Sequence, residues 1–217
     1  AHLAGYDLPL IVSTGMANLK EVAEAVAVIG KVRAANGSSM PLSNYLTLLH
    51  CTSNYPADPA DANLRAMHTM ASHCSLPVGY SDHSLGTAVS VAAVALGATV
   101  IEKHLTLDRE LDGPDHRASL DPSEFARLVA DIRAAEQALG SGIKEPTENE
   151  LPVRDLVRRS ITLARDVPAG RELKVEDFDI LRPGTGIPPS ELSRVIGARA
   201  STNLSAGSLL AWSDVTE

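Results

Sequence analysis

Two histidines carry the strongest chemical signal in this 217-residue chain. His83 closes the run LPVGYSDH, and His104 sits near the end of TVIEKHLT. Both runs are short, apolar and rich in β-branched residues, and they follow one another in the chain. Consecutive strands usually lie side by side, so the two imidazoles would meet at one sheet end, where they can share a divalent metal and leave positions open for water and substrate oxygens. Hydrogen-bonded strand-end histidines would leave the same pattern, and pattern alone does not choose. Asp82, Glu102, Asp108, Asp112 and Asp115 are near in sequence, either as orienting partners for the imidazoles or as solvated loop charges.

Other residues invite binding rather than bond-making. In Asp112-Gly-Pro-Asp115-His116-Arg117, Gly113 and Pro114 shape a turn that would hold Asp115 where its carboxylate can accept hydrogen bonds from substrate hydroxyls; the plain alternative is a surface turn. Ser13, Thr14 and Ser81 place hydroxyls at the ends of apolar runs, suited either to a phosphate or to a helix cap. Arg182 precedes Pro183 and has Gly184 and Gly186 beyond it, a setting for a bidentate grip on a carboxylate or hydroxyl cluster, or for an ordinary exposed arginine. His50 and Cys51 are adjacent, and adjacent strand residues point to opposite faces, so a Cys/His nucleophile pair is rejected.

The elements that must position these residues repeat one order of signals four times: an apolar run, a polar tip, then helical spacing. Pro9 to Thr14 is followed by a helix over 18–35, in which Val22, Ala25, Val26, Ile29 and Val32 recur at intervals of three and four. Tyr45 to Thr52 leads to a helix over 62–74, and Leu76 to His83 to one over 86–96. Thr99 to Thr106 is followed by a long loop and a helix over 123–139, with Asp121-Pro122 as its N-cap and first position and Gly140 as its stop. Alternating strands and helices mean βαβ units and a parallel sheet. Either a doubly wound sheet or half of an eight-stranded barrel satisfies the periodicity. Polar tips on four consecutive strands favour a barrel rim, because an open sheet concentrates its chemistry at one switch point.

Residues 141–152, SGIKEPTENELP, read as a linker. Beyond them the chain echoes itself at an offset of 37: Val167-Pro-Ala-Gly170 with Leu173 and Asp177 is matched by Leu204-Ser-Ala-Gly207 with Leu210 and Asp214. That predicts a compact β domain over 153–217, built from two similar halves.

Composition narrows the function classes. Lys plus Arg number 19 and Asp plus Glu 27, for a net charge of −8, and no basic run offers a nucleic-acid stripe. No apolar run reaches the roughly 18 residues of a membrane span. Two cysteines, Cys51 and Cys74, make no disulfide framework and point to a reducing cytoplasm. The chain opens on Ala1, which reads as part of something longer.

Taken together, Ser-Thr-Gly-Met (13–16), His-Cys-Thr-Ser (50–53) with Tyr55-Pro56, Gly-Tyr-Ser-Asp-His (79–83), Glu-Lys-His-Leu-Thr-Leu-Asp (102–108), Gly-Pro-Asp-His-Arg-Ala-Ser-Leu (113–120) and Leu-Arg-Pro-Gly (181–184) resemble the sialic acid synthase family. That family includes N-acetylneuraminate, legionaminate and pseudaminate synthases. The resemblance implies a (β/α)8 TIM barrel of which residues 1–140 form the C-terminal half, the fifth to eighth strands, followed by a small, mostly β SAF (antifreeze-like) domain. It implies condensation of phosphoenolpyruvate with a 2-acetamido sugar aldehyde of the N-acetylmannosamine type, in a cytoplasmic, domain-swapped homodimer. His83 and His104 match the metal ligands, for manganese or for magnesium or cobalt in its place. Ser13, Ser53 and Ser81 match phosphoenolpyruvate contacts, Tyr55 and Asp115 match sugar contacts, and Arg182 matches an arginine that crosses the dimer. Ser53 stands where some bacterial members have Asn. The first four strands, with a glutamate and lysines of the family site, have no counterpart here, so the chain alone is expected to be inactive. The rival readings are a legionaminate or pseudaminate synthase of the same family and a non-catalytic SAF-domain binding fragment.

Overall fold

The computed structural model describes residues 1–6 and 8–216. It divides into two compact units, Ala1–Gly142 and Ile143–Glu217. Among the described residues no helix is long and apolar enough to cross a membrane.

The first unit is four strand–helix repeats. Strands β1 (Leu10–Ser13), β2 (Leu46–Cys51), β3 (Val78–Asp82) and β4 (Ile101–Lys103) form one parallel sheet in sequential order. Helices α1 (Leu19–Ala35), α2 (Arg65–Cys74), α3 (Ala88–Ala95) and α4 (Pro122–Leu139) follow them in turn. Sequential order decides between the two architectures left open by periodicity. Right-handed crossovers between successive neighbours place every helix on one face, as in a barrel, whereas a doubly wound sheet reverses its strand order at a switch point. The unit is the half of a (β/α)8 barrel that the polar tips predicted.

Period-two alternation sorts the strand residues. Leu46, Leu48, Val78 and Tyr80 point toward the helices and pack with Val22, Ile29, Met67, Met70 and Ala93 in one core. Ile11, on the opposite face, is 55% exposed. Gly79 is demanded by the close approach of β4, since a Cβ there would lie 2.3 Å from the Val100 carbonyl oxygen. Both long helices start with reciprocal caps. Asn18 accepts from the Lys20 and Glu21 amides while the Glu21 carboxylate accepts from the Asn18 amide, and Asp121 and Glu124 repeat the arrangement before α4.

The second unit contains α5 (Leu151–Val157), β5 (Ser160–Leu163), β6 (Phe178–Leu181), α6 (Leu192–Val195), β7 (Arg199–Ala200) and β8 (Val215–Thr216). Strands β5 and β6 pair antiparallel, as do β7 and β8. The 37-residue echo is a pseudo-two-fold axis. Val167 and Leu204 exchange amide-to-carbonyl bonds of 2.8 Å each way. Ala169 N donates to Asn203 Oδ1, and its counterpart Ala206 N donates to Asp166 Oδ1. Likewise Gly170 N to Ala200 O is matched by Gly207 N to Leu163 O, both 2.7 Å. Around this axis Ile161, Leu163, Val167, Leu173, Ala200, Leu204 and Leu210 form a separate core. Residues 141–150 are exposed throughout, and the last two residues of the segment read as a linker open α5.

Candidate active-site rim

The register of the first unit places Cys51 opposite Ser81 and Ser81 opposite Glu102, so all three share the face turned away from the helices. One pleat further on, His83 and His104 follow Ser81 and Glu102. His83 is only 9% exposed. Its Nδ1 lies 2.7 Å from the carbonyl oxygen of Thr52, which can only accept, so Nδ1 carries a proton and Nε2 is the ring nitrogen left for a ligand. That Nε2 is 3.3 Å from Ser81 Oγ. The Ser81 hydroxyl proton is already given to Glu102 Oε1 at 2.7 Å. Ser81 Oγ can therefore only accept from the His83 side, an arrangement completed by a cation at Nε2 or by a second ring proton.

Tyr55 and the two histidines form a ring cluster. The His83 and His104 centroids are 5.3 Å apart at 78°, and Tyr55 lies 4.2 Å from His83 and 5.5 Å from His104. Main-chain bonds hold both strand ends: His83 O accepts from Ala57 N at 2.9 Å and His104 O from Leu120 N at 3.0 Å. Among the described residues no group of three or more His, Cys, Asp or Glu side chains is gathered for a metal. Two imidazoles fit an ion that completes its shell with water or substrate oxygen.

The remaining predicted residues make local contacts of their own. Ser13 ends β1 on the exposed inner face. Ser53 lies just past β2, close enough to Gly15 that a Cβ there would be 3.3 Å from its Oγ. Thr14, by contrast, spends its hydroxyl on Leu49 O at 2.8 Å. Asp115 is half-buried before a short helical turn; its carbonyl accepts from Ser119 Oγ at 2.7 Å, while its carboxylate makes no hydrogen bond or ion pair among the described residues. His116 braces the same loop through Nδ1 to Thr106 Oγ1, 2.7 Å. Arg182 belongs to the second unit, exposed on a loop that the buried Ser160 hydroxyl secures by donating to Pro183 O and accepting from Gly186 N. The rejection of His50 with Cys51 agrees with their contacts. His50 Nε2 turns to Ala62 O, and Cys51 Sγ accepts from Gly15 N.

Asp82 is not a partner of His83. It faces the helices, fully buried, and takes hydrogen bonds from Ser84 N, Ser84 Oγ and Ser90 Oγ, with Lys103 Nζ at 3.0 Å. Burial alone would raise its carboxyl, but these serine bonds and the Lys103 charge outweigh burial and hold it below the ordinary carboxylate range. Sequence reasoning did not reach the Lys103 pairing or the Thr52 carbonyl; both need the strand register.

The model of the NeuB family matches residues 1–144, and the SAF domain model matches 158–216. The chain belongs to the NeuB family. This NeuB chain is 57% identical over 214 residues to the N,N'-diacetyllegionaminic acid synthase of Legionella pneumophila, covering 99% of the chain and 59% of that protein. It is 34% identical over 193 residues to the human N-acetylneuraminate-9-phosphate synthase, covering 88% of the chain and 51% of that protein. Among solved structures, the N-acetylneuraminic acid synthetase of Leptospira borgpetersenii, in complex with citrate, aligns with a TM-score of 0.60 at 40% identity, over 69% of this chain and 49% of that one. A spore coat polysaccharide biosynthesis protein of Bacillus subtilis covers 100% of the NeuB chain and 63% of its own, at 31% identity and a TM-score of 0.55. The chain thus spans 59% of the Legionella relative and 51% of the human one.

Proposed function

We propose that the rim of the first unit serves a cytoplasmic synthase that condenses phosphoenolpyruvate with the open-chain aldehyde of a 2-acetamido sugar, giving a nonulosonic acid and phosphate. The observation that carries this is the pairing of His83, its Nδ1 tied to the Thr52 carbonyl so that Nε2 is the ring nitrogen left for a ligand, with His104, whose ring lies 5.3 Å away at the adjacent strand end. Supporting it, relatives at 57% and 34% identity are named as synthases of such acids. The name of the Legionella relative favours a product with two N-acetyl groups over the N-acetylneuraminate type.

A divalent ion, manganese or in its place magnesium or cobalt, would be held by His83 and His104 and would supply Lewis-acid polarisation of the sugar aldehyde. C3 of phosphoenolpyruvate forms the new bond to that carbon, water adds at C2, and phosphate departs. In this reading Ser13, Ser53 and Ser81 hold the phosphoenolpyruvate, Ser81 turning its hydroxyl away from Glu102 to do so. The Tyr55 ring shields the imidazoles from bulk water and, with the free carboxylate of Asp115, lines the sugar site. Arg182 reaches the sugar of a second subunit in a domain-swapped homodimer, its loop stiffened by Ser160.

The test is phosphate release by the protein expressed from its entire gene, with phosphoenolpyruvate, manganese and a panel of mono- and di-acetamido sugars. We expect turnover with at least one sugar and its loss in His83→Ala and in His104→Ala. Failure with every sugar overturns the synthase reading, and a histidine variant with full manganese-dependent turnover overturns the metal assignment.

A further inference from the structure

We propose that Asp82 and Lys103 are positioning residues for His83, a buried ion pair on the helix side of the sheet that fixes the strand end presenting Nε2 to a divalent cation. The proposal rests on the metal-dependent reading of the rim given above.

The pair lies directly across the register of β3 and β4, with Asp82 opposite Lys103. Its side chains are 0% and 1% exposed. Both charges converge on Ser84, the residue after His83. Asp82 Oδ1 accepts from Ser84 N at 2.8 Å and from Ser84 Oγ at 2.6 Å, and Lys103 Nζ donates to Ser84 O at 2.7 Å. The other carboxylate oxygen takes Ser90 Oγ from α3 at 2.5 Å and Lys103 Nζ at 3.0 Å. His83 is therefore bracketed: the residue before it supplies the carboxylate, and both polar main-chain atoms of the residue after it are bound to the pair. On its own side the ring is held by Thr52 O and the His83 carbonyl by Ala57 N. The Asp82 carboxylate, His83 Nδ1 and carbonyl, and the Ser84 amide, hydroxyl and carbonyl all have partners, which leaves Nε2, with only Ser81 Oγ beside it at 3.3 Å, as the atom that would meet the ion.

The charges themselves add little net stability. Desolvation of two buried charges offsets most of their attraction, and buried ion pairs replaced by apolar residues of similar volume often leave a protein as stable or more so. What an apolar pair cannot do is bond to the amide, hydroxyl and carbonyl of Ser84. The distinctive contribution of the pair is geometric, and metal coordination is the property most sensitive to geometry, because ligand distances must hold to within about 0.2 Å. Removing groups that orient a ligand histidine typically weakens metal binding about 10- to 100-fold.

Two double variants of the protein expressed from its entire gene separate geometry from stability. Asp82→Leu with Lys103→Met removes the charges and all bonds to Ser84. Asp82→Asn with Lys103→Met removes the charges but keeps an acceptor for Ser84 N and Oγ. Free Mn2+ is titrated against each by electron paramagnetic resonance, with far-UV circular dichroism and melting recorded alongside. We expect native spectra in both, Mn2+ binding about 10- to 100-fold weaker in the Leu/Met variant, and binding within about fivefold of wild type in the Asn/Met variant. Equal affinity in wild type and Leu/Met, or an equal loss in the two variants, overturns the positioning role while leaving the metal reading intact. No Mn2+ binding by wild type overturns the metal reading and this proposal with it. Should Leu/Met fail to fold, Asp82→Ala with Lys103→Met takes its place, removing the same bonds without added bulk: Mn2+ binding at least about 10-fold weaker than in Asn/Met supports the proposal, and affinity equal to wild type overturns it.

Discussion

The pseudo-two-fold axis of the second unit supplies its own control for the energetics of a buried carboxylate. Asp177 and Asp214 occupy equivalent places 37 residues apart, and each accepts a hydrogen bond from the amide three residues earlier, Lys174 N or Ala211 N, at 2.9 Å. Of the two, Asp177 is fully buried and, among the described residues, is the one that meets cations: Arg171 Nη2 lies 2.9 and 3.0 Å from its two oxygens, and Arg165 Nε 3.6 Å from one of them. The positions matching those arginines are Thr202 and Ser208. Replacing Asp177 by Asn keeps an acceptor for Lys174 N and removes the charge-assisted bonds, a loss of about 2–3 kcal/mol. Arg171 keeps 34% of its side chain exposed, so it can turn to water, and the loss stays below that of stranding a fully buried charge. For a unit of this size that corresponds to a fall in Tm of roughly 8–24 °C. Asp214→Asn keeps an acceptor for its one donor, the neutral Ala211 amide, and costs less than about 1 kcal/mol. The assay is built in. Trp212 is the one tryptophan of the chain and lies in this unit, with the Arg194 guanidinium 4.6 Å from its ring, so its fluorescence follows the unfolding of this unit. The pH dependence adds a second signature. Burial raises the carboxyl of Asp177, but the Lys174 amide, Arg171 and Arg165 outweigh it and hold the group below its ordinary range. Its stabilisation is present above the unfolded value of about 3.9 and is lost as pH falls through the lower folded value, so the deficit of the Asn variant shrinks in acid. Equal Tm shifts for the two variants, or a deficit for Asp177→Asn that does not change with pH, would refute the reasoning.

Two further perturbations test the positioning elements. Gly79→Ala should destabilise the barrel unit by at least about 2 kcal/mol, because a Cβ 2.3 Å from Val100 O must break the 2.8 Å bond that Tyr80 N makes to the same oxygen; a variant with unchanged thermal unfolding by circular dichroism would contradict this. Ser160→Ala should leave Gly186 N without its acceptor, cost about 1–3 kcal/mol by Trp212-detected denaturation and speed amide exchange at Gly186, whereas unchanged protection there would show that the hydroxyl does not hold the Arg182 loop.

Much of the architecture was legible because its signals are local. The apolar runs, the Asp121-Pro122 start and the Gly140 stop are decided by residues within one or two turns of each other, and the structure places β1 to β4 inside the predicted runs. The 37-residue echo was equally readable, since each half repeats a turn glycine followed by a buried leucine, Gly170 with Leu173 and Gly207 with Leu210. Boundaries were less so. The fourth apolar run spans Thr99 to Thr106, yet β4 is only Ile101–Lys103, because beyond Lys103 the chain bonds to Leu120 on both sides of Leu105 rather than to β3. A loop returning from 15 residues downstream leaves no periodic trace.

For the rim, the same distinction between local and paired information decides what could be seen. His83, His104 and Ser81 were visible as polar residues ending apolar runs. Among the five acids that could orient the imidazoles nothing local singles out Glu102, and the nearest acid in sequence is the wrong one. Asp82 adjoins His83, and on a strand that adjacency places it on the opposite face. The carboxylate that does meet this cluster is Glu102, 21 residues from Ser81, and the cation that neutralises Asp82 is Lys103, 21 residues from it. Both pairings follow from one quantity, the register of β3 against β4, and a slip of one residue would exchange them: Glu102 would turn to the helices and Lys103 to the histidines. The buried Asp82–Lys103 pair opposes that slip, since either charge moved without the other would be stranded, so the ion pair that orients His83 also specifies which face of β4 confronts it.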